Sequence, residues 1–135
     1  MALEWIMTSD GAIDHGTGAV ITGGVFAITS TPSSNVKISG GGVYSDDLVF
    51  TFSGGTVDPD PSGLYAPNSA QILIASPGTI SPTAVNTKVD GSPVIREGDN
   101  NPAVVFTVGL TAGGTTTLPS AVKVSDAGQD KVKAD

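Results

Sequence analysis

Apolar residues in this chain never recur at helical spacing over a sustained stretch. They come as short runs and alternations of about four to six positions, each closed by Gly, Pro, Asn or Asp. That pattern predicts strands, because alternation puts every second side chain on one face. Strands are predicted over residues 19–22, 25–29, 35–39, 48–52, 71–75, 86–89, 93–96, 104–108 and 121–124. Turns are expected at Gly23-Gly24, Gly40-Gly41-Gly42, Gly54-Gly55, Asp90-Gly91, 98–101 and Gly113-Gly114, where residues that accept positive φ cluster. Residues 57–68 hold three prolines and read as a loop excursion from one domain spanning 1–135.

Composition sharpens the all-β expectation. Val and Ile together number twenty-four against six Leu, a bias toward extended backbone. Eleven of the thirteen acidic residues are Asp, the turn-former of the two. The net charge of −7 argues against nucleic acid or anionic lipid as the main partner, since both need a cationic face. With no cysteine, disulfides and thiolate metal sites are excluded. The apolar runs are too short for a membrane span. The opening Met-Ala-Leu-Glu-Trp-Ile-Met has neither a basic segment nor a long apolar one. The expectation is therefore synthesis in the cytoplasm without a secretory signal or membrane anchor.

An imperfect internal repeat is the most informative feature. Its copies lie near residues 31–56, 81–115 and 118–135. Each runs Pro, then Ser or Thr, then Lys followed by Ile or Val, then a polar turn. Lys37, Lys88 and Lys123 fall at one repeat position, where three cations would face a partner or line an axis, or else keep strand edges soluble. Past the turn, Leu48-Val49-Phe50-Thr51-Phe52 in the first copy matches Val104-Val105-Phe106-Thr107-Val108 in the second.

Candidate chemistry is sparse. Asp14-His15 is the one pairing able to serve a metal or an acid–base step, against the simpler reading of a turn histidine in a Gly-rich loop. A zinc site would need His15 with three carboxylates, so no metal is expected. No Gly-x-Ser-x-Gly elbow surrounds any serine, which leaves no expectation of enzymatic activity. Asp46-Asp47 and Asp58-Pro59-Asp60 read as solvated turn acids rather than calcium ligands, lacking an EF-hand pattern. Gly16-Thr17-Gly18 lacks the lysine of a phosphate loop. Trp5, Tyr44 and Tyr65 read as core or rim rather than a sugar platform.

The second copy contains Asp90-Gly91-Ser92-Pro93-Val94-Ile95-Arg96-Glu97-Gly98-Asp99. This resembles the Gly-x-Pro-Ala-Ala-Arg-x-Gly-Asp signature of PAAR-repeat proteins. Pro93, Arg96, Gly98 and Asp99 fall on signature positions, and Val94 and Ile95 replace the two alanines. Residues 90–99 carry the signature and 31–135 the repeats. Such proteins cap the spikes of contractile injection systems, including type VI secretion systems and contractile phage tails. The resemblance implies pseudo-threefold β-hairpins in a compact conical domain. It implies a structural tip, one copy per trimeric β-helical spike, monomeric alone and delivered outward with the spike. Many relatives hold zinc through His and Cys; here those ligands are missing, and no cofactor is expected. The competing expectation is a small β-sandwich that binds sugar or decorates a virion or cell surface.

Overall fold

The computed structural model describes residues 3–58, 60, 62–65 and 77–135. The all-β expectation holds: every strand pairing among them is antiparallel. In chain order the strands are β1 (Glu4–Trp5), β2 (Ala12–His15), β3 (Ile21–Thr22), β4 (Val25–Ile28), β5 (Lys37–Ile38), β6 (Gly41–Gly42) and β7 (Leu48–Ser53). They continue with β8 (Thr56–Val57), β9 (Gly78–Ile80), β10 (Lys88–Val89), β11 (Ser92–Pro93), β12 (Asn100–Gly109), β13 (Thr115–Asp126) and β14 (Lys133–Ala134). The strand predicted over 71–75 lies outside the described residues, as does part of the loop excursion.

Three two-stranded units share one register. Lys37 faces Gly42 and Ile38 faces Gly41; Lys88 faces Pro93 and Val89 faces Ser92; Lys133 faces Trp5 and Ala134 faces Glu4. The first two are tight hairpins whose loops are Ser39-Gly40 and Asp90-Gly91. Both residues of each loop have positive φ (53° and 88°; 52° and 86°), the backbone of a type I′ turn. The predicted Gly40-Gly41-Gly42 turn thus narrows to Ser39-Gly40, and Gly41–Gly42 is strand. In the third unit the two strands come from opposite ends of the sequence.

The segments that follow these units, 6–8, 43–45 and 94–96, bond to one another in a cycle. Tyr44 N–H donates to Met7 C=O (3.1 Å), Ile95 N–H to Tyr44 C=O (3.0 Å), and Met7 N–H to Ile95 C=O (2.8 Å). A second set repeats the order two residues out: Ser9 N–H to Gly42 C=O (2.9 Å), Asp46 N–H to Pro93 C=O (2.9 Å), and Glu97 N–H to Trp5 C=O (2.8 Å). Alternation along extended backbone splits the apolar pairs Ile6-Met7, Val43-Tyr44 and Val94-Ile95 between two faces. Ile6, Val43 and Val94 enter a small cluster with Ala84 and Ala134, against which Ile38 and Val89 pack. Met7, Tyr44 and Ile95 enter the larger core.

That core fills the space among the longer strands, ordered β12-β13-β2 and β4-β7-β9, with β3-β8 beside them. Strand β7 shows why: Leu48, Phe50 and Phe52 are buried while Thr51 and Ser53 are exposed, as the sequence alternation requires. Phe52 meets Phe106 edge to face at 5.2 Å and Phe26 at 4.6 Å. Strands β12 and β13 run longer than predicted, and Pro119 lies inside β13 opposite Val105. Leu110 N–H bonds Gly114 C=O at the hairpin end, and this sets the ladder phase so that Pro119 needs no N–H toward β12.

The structure corrects the third repeat. Lys123 sits within β13, opposite Asn100 on one side and Asp14 on the other. The residue in the register of Lys37 and Lys88 is Lys133. Pro119 and Lys123 carry the repeat's local pattern on a continuous strand.

Candidate functional site

The signature residues are brought together at the junction of β11, segment 94–96 and β12. Pro93 stands opposite Lys88, the pair next to the hairpin's closing pair. Its partner across the hairpin does not call on the N–H that proline lacks, because Val94 N–H makes the next ladder bond, to Thr87 C=O (3.2 Å). Its carbonyl serves the cycle through Asp46. Gly98 has φ of 89° and turns the chain into β12.

Arg96 and Asp99 form the centre of the site. Asp99 is buried, with 4% of its surface exposed. One of its carboxylate oxygens accepts Arg96 N–H (2.8 Å), and the other accepts the Thr83 hydroxyl. Asp99 N–H returns a bond to Arg96 C=O (3.1 Å), and Asp99 C=O accepts Val124 N–H (2.8 Å). The guanidinium reaches outward to Thr83 Oγ1 (2.8 Å) and to Ala134 C=O on β14 (3.0 Å). A buried carboxyl is tolerable only with its oxygens satisfied, and these partners satisfy both. Chemically this is a staple. It ties a hairpin unit, the start of β12 and the last strand into one rigid corner.

Sequence reasoning missed Thr83 and Ala134 as members. Thr83 had a signal in the repeated Pro-Ser/Thr step; Ala134 had none, since only its carbonyl takes part. The positions matching Arg96 in the cycle are Thr8 and Ser45, so the staple occurs once. Thr8 is fully buried and donates to Ala127 C=O (3.3 Å).

The lysines fall into two settings. Lys37, Lys88 and Lys133 are exposed on the three two-stranded units, with Lys133 Nζ 4.4 Å above the Trp5 ring, a cation–π contact. Lys123 is half-buried on β13, away from them. The ion pair of Lys131 with Asp130 is exposed at both ends and adds little.

His15 is a strand residue, which corrects its reading as a turn histidine. Its ring lies edge-on to Phe26 (5.1 Å) and Phe52 (5.5 Å), and Nε2 bonds Gly23 C=O (2.7 Å). Asp14 turns back to accept His15 N–H (2.7 Å). Among the described residues no group of three His, Cys, Asp or Glu is placed to hold a metal ion. Asp60 caps its own loop by accepting Leu64 N–H and Tyr65 N–H (both 3.1 Å).

Tyr44, at the hub of the cycle, is buried, and desolvation pushes its phenol above the ordinary tyrosine range. The raised group stabilises the fold fully below about pH 10, the unfolded tyrosine value, and that contribution is lost as pH rises through the folded value. Denaturant titrations at neutral and alkaline pH are expected to show this loss in the parent. Tyr44→Phe should lose distinctly less; an equal loss would remove Tyr44 as the cause.

Comparison with protein-family models, with curated proteins and with solved structures finds no match to this chain.

Proposed function

We propose that this protein is a PAAR-like structural tip that caps and sharpens the trimeric spike of a contractile injection machine. The observation that carries the reading is the cycle of hydrogen bonds among segments 6–8, 43–45 and 94–96, with three two-stranded units in a common register. Three equivalent positions within one chain suit the end of a threefold spike, where strand edges need cover. The signature residues support it too: Arg96 and Asp99 brace a corner, a role suited to a part that bears load rather than one that turns over substrate. On this reading the small-residue hairpin end is the apex. The tip is non-enzymatic, and one copy adds to each spike trimer.

The reading is tested by native mass spectrometry of the protein alone and mixed with the trimeric spike protein from the same source. A monomer that adds once per trimer is expected. A stable homotrimer, or no addition to a well-folded spike, overturns the proposal and returns weight to a small binding or decoration module.

A further inference from the structure

The longer strands follow one another around the core as β12-β13-β2 and β4-β7-β9, and Asn101 Nδ2 bonds Thr79 C=O (2.9 Å) between β12 and β9. Among the described residues no backbone bond joins β2 to β4. A groove of about 420 Å³ lies there, with Ile13, Phe26, Ile28 and Tyr44 in its wall. At one end it is spanned by the His15 ring and its bond to Gly23 C=O.

Both walls of this groove are free strand edges. Gly16 N–H bonds Ala121 C=O (2.8 Å), which fixes the phase of the β2–β13 ladder. Asp14 therefore faces β13, while Ile13 and His15 turn their N–H and C=O groups toward the groove. Val124 agrees, since its N–H and C=O bond Asp99 and Gly98 rather than β2. Across the groove, Thr29 N–H bonds Val49 C=O (2.8 Å). Hence Val25 and Ala27 face β7, and Phe26 and Ile28 present their backbone to the groove. Of these eight outward groups only His15 N–H has a partner among the described residues, the Asp14 carboxylate.

We propose that this groove is a docking slot for an extended segment of a partner protein, which adds a strand between β2 and β4. Two facing rows of backbone donors and acceptors over an apolar floor are the chemistry that recognises a strand. The occupant carries apolar side chains at alternate positions, toward Ile13, Phe26, Ile28 and Tyr44. It carries Lys or Arg beside Asp14, which lines the groove and has no cation within 4.0 Å among the described residues. That charge demand, with the net charge of −7, selects a basic segment over a second copy of this chain. The inference is separate from the tip proposal, since a slot of this kind serves any partner that has such a segment.

The test uses a capped peptide alternating valine and threonine between terminal lysines, titrated into the protein and followed by amide NMR and hydrogen exchange. Saturable binding is expected, with new protection at Ile13, Phe26 and Ile28 and weakening by salt. The same peptide N-methylated at alternate residues should bind about tenfold more weakly, because one row of its donors is gone. The proposal is overturned if those amides are unaffected at millimolar peptide, or if the methylated peptide binds equally well. It is also overturned if the three amides are already protected without peptide, since the slot is then filled by this chain or by a second copy. None of these outcomes depends on the spike, so the two proposals fail independently.

Discussion

Phe106→Ala is expected to cost about 4 kcal/mol of folding stability and to lower Tm by on the order of 15 °C. Phe106 has no exposed surface and meets Phe52 edge to face at 5.2 Å and 87°. It sits where β12, carrying Val104, Phe106 and Val108 inward, closes over β7, carrying Leu48, Phe50 and Phe52. Deleting the ring forfeits its transfer energy and leaves a cavity between paired strands that relax only in part. The lost aromatic pair adds about 1 kcal/mol. Against a total of roughly 5–15 kcal/mol for a domain, this is the largest single loss foreseen. Chemical denaturation of parent and variant measures it. Phe106→Leu, which keeps most of the volume, should recover about half; an alanine variant within about 1 kcal/mol of the parent would refute this placement of the core.

Asp99→Ala is expected to cost about 3 kcal/mol, and for a different reason. The buried carboxyl holds Arg96 N–H and the Thr83 hydroxyl, and through Thr83 it orients the guanidinium that reaches Ala134. Removing it leaves the part-buried Arg96 N–H without its acceptor and frees Thr83 from the corner, and a donor left unmade costs more than the bond contributes net. The loss should also be local. Hydrogen exchange should rise first along β10-β11 and at the β14–β1 pairing, and later in β7, which shares no partner with the staple. Asp99→Asn keeps one acceptor and should fall between parent and alanine. Uniform destabilisation without this order would show that Asp99 acts through the core and not through the corner.

The strands that local alternation specifies were legible. Leu48-Val49-Phe50-Thr51-Phe52 reads as a one-face-buried strand and is one, because its period matches the pleat whatever it pairs with. Asp90-Gly91 reads as a tight turn and is one, because only such residues adopt its backbone cheaply. Pro93, Arg96, Gly98 and Asp99 stood out as a motif, and the structure gathers Arg96 and Asp99 into one staple.

Long-range pairings were not legible. The third two-stranded unit joins Glu4 to Ala134, and no local pattern announces a partner at the far end of the chain. His15 looks like a turn residue among glycines. It is strand because Val122 lies opposite, more than a hundred residues away. Lys123 carries the repeat's local pattern but sits on β13, where pairing with both β12 and β2 overrides it.

The sequence by itself therefore determined the class of structure, the hairpin turns, the inward faces of the long strands, and Arg96 and Asp99 of the staple. Period and φ preference are properties of a few neighbouring residues, and they survive any arrangement of the rest. Tertiary structure alone decided the cycle among segments 6–8, 43–45 and 94–96, the identity of the third lysine, and the unfilled place between β2 and β4. Each depends on which backbone groups meet across long loops. Backbone N–H and C=O are the same in nearly every residue, so side-chain pattern does not encode their partners.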